Sequence, residues 1–211
     1  MRENGFKIRG NLYYYIKNDI AYCIRFEQPT GLLYCQFYII PLYMPTDVHY
    51  YSFGNRMNYF QPQKLPILTN TCSAEDIQQW FQHFYSILKN YILPFYEKIS
   101  HPKYIEQWMQ RNRSIIKQYF FSPDTDYFRL RMYTSFYLGD LHMLSTLLPD
   151  AINDFKYRSN LREDIRQHYI EEANRLYQCL QDDPIASKEL CRQTIRNTAK
   201  SLFKENIDSS I

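Results

Sequence analysis

The order of hydrophobic patterns along the chain predicts an α+β fold, an N-terminal antiparallel sheet of three to four strands followed by a larger helical part packed on it. Three observations carry this. Between Leu12 and Tyr43, short apolar segments are separated by compact turn signals, Asn18-Asp19 and Gln28-Pro29-Thr30-Gly31. From Ser73 onward the apolar residues recur every three or four positions, the period of a helix laid on a core. Strands come first and helices second, without the regular alternation of a parallel sheet.

The 211 residues are read as one domain, 1–211, with the sheet over 5–57 and the helices over 73–205; two sub-domains are the alternative. Aromatic residues make up 18% of the chain, and 21 Tyr against 5 Gly argue for a real core rather than disorder. So many tyrosines imply large half-buried surfaces with hydroxyls at their rims. The formal net charge is +3, from 25 Lys and Arg against 22 Asp and Glu. That is too small to imply a polyanion partner, which only a local basic cluster could do. The five cysteines (Cys23, Cys35, Cys72, Cys179, Cys191) are odd in number and lack a CxxC pair, which points to reduced thiols rather than a disulfide framework or zinc ribbon. Cys23 and Cys35 are read as small buried apolar residues on adjacent strands. The opening MRENGFKIRGN has no apolar signal-peptide core, and the longest apolar run, about twelve residues, is too short for a bilayer. A cytoplasmic protein with no membrane partner is expected.

In chain order, Leu12–Lys17 reads as a strand. Asn18-Asp19 suits a tight hairpin because both residues tolerate left-handed backbone. Ile20–Glu27 is the return strand, with Ile20, Tyr22, Ile24 and Phe26 on one face and Ala21, Cys23, Arg25 and Glu27 on the other. Leu32–Tyr43 carries one strongly polar side chain, Gln36, so it reads as a central strand covered on both faces. His49–Phe53 is a candidate fourth strand. Residues 55–72, broken by Pro62 and Pro66, read as a long connection.

Ser73 is a good N-cap, with Glu75 and Asp76 in the first turn. The stripe Ile77, Phe81, Phe84, Leu88, Tyr91 and Phe95 predicts a long helix across the sheet, kinked or ended near Pro94. A shorter helix spans about Lys103–Asn112. Ser122-Pro123 starts another, with Phe128, Met132, Ser135 and Phe136 inward. Leu138-Gly139-Asp140 ends it, and Leu141–Leu148 begins the next. Asn160-x-x-Glu163, a capping-box variant, leads a helix with the stripe Leu161, Ile165, Tyr169, Ala173, Leu176 and Leu180. Asp183-Pro184 starts the last helix, which runs to about Lys204.

The segment Gly5-Phe6-Lys7-x-Arg9-Gly10-Asn11-x-Tyr13 resembles the opening of a family of small bacterial proteins known only as a domain of unknown function. Members of that family start with GFK-x-(K/R)-G and continue into a strand, a hairpin and an aromatic-rich third strand. Leu138-Gly139-Asp140 sits where such proteins place a late helix–helix turn. The resemblance covers about the first 60 residues and that turn. It implies a sheet-then-helices fold and, loosely, a role as an adaptor or in protection against toxins. It implies no catalytic residue.

Three constellations are candidates for function. In the last helix, Lys188, Arg192, Arg196, Lys200 and Lys204 recur every four residues. Each step rotates about 40°, so the five fan around roughly 160°. The functional reading is a ridge for an anionic partner; the structural one is a solvated face partly neutralised by Glu189 and by a helix carrying Glu171 and Glu172. Gly54-Asn55-Arg56, after Tyr51, permits a tight turn presenting the Arg56 guanidinium to a carboxylate or phosphate. The structural alternative is that Arg56 pairs with a local acid and pins the loop. Tyr13 and Tyr15, near Lys7, Arg9 and Lys17, are interleaved as in sheets that stack single-stranded bases, though packing against helices is the simpler reading.

The histidines (His49, His83, His101, His142, His168) are isolated, and neither HExxH nor a Gly-rich phosphate loop nor a GxSxG elbow occurs. The expectation is a non-enzymatic interaction protein, an adaptor or immunity-type binder of another protein. Its binding residues are Tyr51, Asn55, Arg56, Arg192, Arg196 and Lys200, without cofactor or metal. Nucleic-acid binding through the basic ridge is the alternative, and an enzyme with a dispersed site comes third.

Overall fold

The computed structural model describes residues 1–46, 53–57, 65–112, 125–159 and 161–209. The chain groups into two compact units, Met1–Ile40 with Tyr50–Phe121, and Pro41–His49 with Ser122–Ile211. The α+β class holds. Helices 74–111 group with the sheet in the first unit.

The sheet has five antiparallel strands in the order β1-β2-β3-β4-β5: β1 (Lys7–Arg9), β2 (Leu12–Lys17), β3 (Ile20–Glu27), β4 (Tyr34–Pro41) and β5 (Phe53–Arg56). That is one more than the three to four expected. The added strand, β1, is three exposed residues with no alternation to betray it. It folds back through Gly10-Asn11, with Arg9 opposite Leu12 and Gly10 at φ +60°. The Asn18-Asp19 hairpin forms as the residue types demand: both have positive φ, 50° and 59°, and Lys17 pairs with Ile20. β4 is buried along nearly its whole length, as a strand without alternation should be. The middle position, however, belongs to β3, and β4 lies between β3 and β5.

The N-cap at Ser73 starts α1 (Ala74–Ile87) with a reciprocal capping box. The Asp76 amide donates to the Ser73 hydroxyl at 3.1 Å, and the Ser73 amide donates to the Asp76 carboxylate at 2.8 Å. A π turn at Leu88–Ile92 follows, then α2 (Leu93–Lys98) with Pro94 in its first turn. The wider π turn, in which the Leu93 amide donates to the Leu88 carbonyl, moves the bonding register just before the proline, and the backbone stays helical through it. α1 and α2 cover the face of β3 that carries Tyr22 and Phe26. Phe26 lies 5.4 Å from Phe84 and 6.2 Å from Trp80, and the Tyr96 hydroxyl donates to the Cys23 carbonyl at 2.6 Å.

The expected inner stripe needs correction at its start, because Ile77 and Phe81 are exposed while Trp80 is buried. The indole N–H of Trp80 donates to the Pro66 carbonyl at 2.7 Å and its ring stacks on Phe84, which turns the larger side chain inward. His101 caps α3 (Pro102–Arg111), whose Trp108 packs edge-on against Phe53 and Phe95.

The second unit contains α4 (Thr125–Leu138), α5 (Leu141–Tyr157), α6 (Glu163–Asp182) and α7 (Pro184–Phe203). The Ser122-Pro123 start and Asn160 lie outside the described residues. Met132, Ser135 and Phe136 of α4 are buried as expected, but so is everything else from Leu130 to Tyr137, including Arg131. This helix has no wet face over that stretch. Gly139, at φ +68°, ends it in the left-handed conformation that favours glycine, and Asp140 caps α5 by accepting from the Met143 amide at 2.9 Å. α5 starts at Leu141, as expected, and continues through Pro149 to Tyr157. The N-cap of α6 is Arg162, which places Glu163 at the first helical position rather than the third. Ala173, Leu176 and Leu180 carry its buried stripe. Tyr43 joins this unit, with its ring 4.5 Å from Tyr137 and its hydroxyl 3.0 Å from Thr134 Oγ1.

Candidate functional site

α7 carries the longest run of like charge, and its start explains its pose. Asp183 accepts from the amides of Ile185 and Ala186 at 3.0 and 2.9 Å, with Pro184 at the first turn. The helix buries Ser187, Cys191, Ile195, Thr198, Ala199 and Leu202, a stripe at helical spacing. That phase leaves Lys188, Arg196, Lys200 and Lys204 exposed, with Arg192 half-buried at the edge. Lys204 ends the helix in left-handed backbone at φ +58°.

Neutralisation of this fan is limited. Arg192 pairs with Glu189 at 3.2 Å, as expected from their spacing. The second expected source of acid is engaged elsewhere. Glu172 accepts from Arg129 Nε at 2.8 Å, Arg129 Nη2 at 3.1 Å and the Tyr133 hydroxyl at 2.6 Å. Glu171 accepts from Gln167 at 3.0 Å. Among the described residues, Lys188, Arg196, Lys200 and Lys204 form no ion pair. Four of the five are therefore exposed cations without an ion pair among the described residues, and Arg192 is paired.

Sequence reasoning missed the Arg129–Glu172 pair, because residues 43 apart give no local signal. The Arg129 guanidinium lies 4.8 Å over the Tyr169 ring and 5.8 Å from Tyr133. Burial works to raise the Glu172 carboxyl, but hydrogen bonds and charge from Arg129, then the Tyr133 hydroxyl, hold it below the ordinary carboxylate value. Tyr133 is pushed well up by burial and by the Glu172 charge. The cluster is a closed structural clasp between α4 and α6, with each strong acceptor matched to a donor.

The Gly54-Asn55-Arg56 site takes a different form from the expected turn. These residues are β5 itself, paired with β4 through Tyr38–Gly54, Phe37–Asn55 and Gln36–Arg56. A Cβ on Gly54 would lie 2.1 Å from the Phe37 carbonyl oxygen and 2.3 Å from Tyr38 Cβ. The glycine is required by the close approach of two strands, not by a turn. Arg56 stands 4.9 Å over the Tyr34 ring, and the Asn55 side-chain oxygen accepts from the Arg56 amide at 2.7 Å. Tyr51 lies outside the described residues. β5 and α7 belong to different units.

Tyr15 sits in an aromatic cluster, stacked on Tyr22 at 4.7 Å and edge-on to Phe6 at 4.9 Å. Its ring is packing rather than an open platform for a base. All five thiols are free; Cys23 and Cys35 are buried, and burial pushes both well above the ordinary thiol value. No described helix is long and apolar enough to cross a membrane. No family model, no curated protein and no solved structure matches the chain.

Proposed function

We propose that the chain is a non-enzymatic interaction protein that binds an acidic partner protein on the outer face of α7. The observation that carries this reading is the set of exposed cations Lys188, Arg196, Lys200 and Lys204, which have no ion-pair partner among the described residues, beside Arg192, which pairs with Glu189. Like charges at this spacing repel by a few tenths of a kcal/mol per pair, so the row is a small local burden on the helix that an anionic partner would relieve. An adaptor or immunity-type role, which the resemblance of the opening segment implies, fits such a surface. Arg192, Arg196 and Lys200 are the contact residues. Asn55 and Arg56 support the sheet in this reading.

The test is a tagged pull-down from the native cell at low and high salt, with wild type and the Arg196→Glu/Lys200→Glu double variant. Wild type captures one acidic protein stoichiometrically, and the variant loses it. Capture of nucleic acid that washes off with salt would favour a polynucleotide partner. Identical capture by wild type and variant would refute the α7 surface.

A further inference from the structure

We propose that the first unit binds a nucleoside monophosphate with an adenine base, in the cavity between the last turn of α2 and one face of α3. The cavity has a volume of about 500 Å³, within the size range of small-ligand sites. It involves no residue of α7, and all of its lining lies in the first unit. One wall is aromatic. Tyr104 and Trp108, one turn apart on α3, both line it. Trp108 is half-buried, and Phe53 and Phe95 meet its ring edge-on at 5.4 and 5.5 Å, so its plane is fixed. Tyr104 is 47% exposed, and its hydroxyl makes no hydrogen bond among the described residues. Aromatic rings at the wall of a cavity suit a planar base, because stacking serves any π face.

Beside the rings are two amides and three charges. The Asn112 side-chain amide donates to the Trp108 carbonyl at 2.8 Å and keeps its oxygen as an acceptor. Gln107, half-buried, makes no hydrogen bond among the described residues. An amide offering acceptor and donor together matches the N6–H and N7 edge of adenine. Lys98 and Arg111 line the same cavity, as does Glu97, and none of the three forms an ion pair among the described residues. Two cations suit a phosphate, with Arg111 offering its N–H groups in a planar fork. Glu97 would repel phosphate oxygens, and its use is as an acceptor for ribose hydroxyls, the part an acid plays in dinucleotide sites. A neutral nucleoside would leave Lys98 and Arg111 without a counter-charge. A bare phosphate would leave the aromatic wall and both amides unused.

Isothermal titration calorimetry on the full chain at low salt tests this with adenosine monophosphate, adenosine, inorganic phosphate and phenylalanine as probes. The nucleotide should bind with a Kd below about 1 mM, and adenosine and phosphate each about tenfold more weakly or less. Arg111→Ala should weaken the nucleotide about tenfold and leave adenosine unchanged. Tyr104→Ala should weaken the nucleotide and adenosine by the same factor. Both positions are exposed, and circular dichroism checks that the variants fold. Arg196→Glu/Lys200→Glu should leave nucleotide binding unchanged, which separates this site from the α7 surface. No nucleotide binding at about 10 mM, or binding that neither Arg111→Ala nor Tyr104→Ala weakens, overturns the proposal. So does loss of nucleotide binding in the α7 variant. Phosphate binding as tight as the nucleotide overturns it in favour of a plain anion site. Tighter binding of phenylalanine, whose ammonium and carboxylate would meet Glu97 and Arg111, overturns it in favour of an aromatic zwitterion.

Discussion

The Glu172→Gln variant puts the buried clasp of the second unit to a quantitative test. Glu172 accepts three hydrogen bonds, two from the Arg129 guanidinium and one from Tyr133, and it is buried with Arg129 at its side. Glutamine keeps one acceptor oxygen and replaces the other with a donor that faces Arg129 or Tyr133. Bonds to charged groups contribute roughly 1.5–3 kcal/mol each, and removing one partner of a buried pair costs about 3–5 kcal/mol. With its oxygen in the Oε1 place glutamine retains the bonds from Arg129 Nη2 and Tyr133, and the lost Arg129 Nε bond together with the facing of two donors gives an expected loss of about 3 kcal/mol. For a chain of this length that lowers the melting temperature by roughly 6–12 °C, read by circular dichroism at 222 nm.

The pH dependence follows from the sign of the Glu172 shift. Because the fold holds this carboxyl below its usual value of 4.5, its contribution is fully present above that pH and fades as pH falls through the lower folded value. The gap between wild type and Glu172→Gln should therefore be constant from pH 6 to 7 and narrow below 4.5. The double variant Arg129→Met/Glu172→Met removes both charges and should recover most of the loss. A Glu172→Gln melting point within 1 °C of wild type at pH 7, or a double variant as damaged as the sum of its single changes, would refute the reasoning.

Three further outcomes are expected. Gly54→Ala should destabilise the first unit by about 3 kcal/mol or more, since its Cβ meets backbone 2.1 Å away. Tryptophan fluorescence reports on it, because Trp80 and Trp108 both lie in that unit. Arg56→Ala should cost about 1 kcal/mol through its lost stacking on Tyr34, measured by urea unfolding, and should leave α7-dependent binding unchanged. Under native conditions a thiol reagent should label Cys72 and Cys179, which are half-buried, well before Cys23, Cys35 and Cys191, which react only on unfolding.

Much of the local structure was legible because the forces that set it are local. Asn18-Asp19 tolerate positive φ, so the hairpin and the registers of β2 and β3 followed from residue type alone. Ser73 and Asp183 are caps whose acceptors sit within three residues of the amides they satisfy. The four-residue spacing of the α7 cations was legible in the sequence, but their exposure was set by the stripe from Ser187 to Leu202 that the fold buries. β1 escaped notice because three exposed residues show no period.

Other features needed the tertiary structure because they arise between residues far apart in the chain. The sequence permits Gly54 a turn, and only the approach of β4 makes it a strand residue. Trp80 rather than Ile77 or Phe81 faces inward because Pro66 and Phe84 receive its ring. Glu172 appeared free to neutralise α7 until Arg129 and Tyr133, 43 and 39 residues away, were brought to it. A side chain's partner is chosen by packing, and packing is blind to sequence distance. The sequence alone therefore determined the four-residue spacing of the α7 cations, and the tertiary structure decided that four of them are exposed and that Glu172 is held by Arg129 and Tyr133 instead.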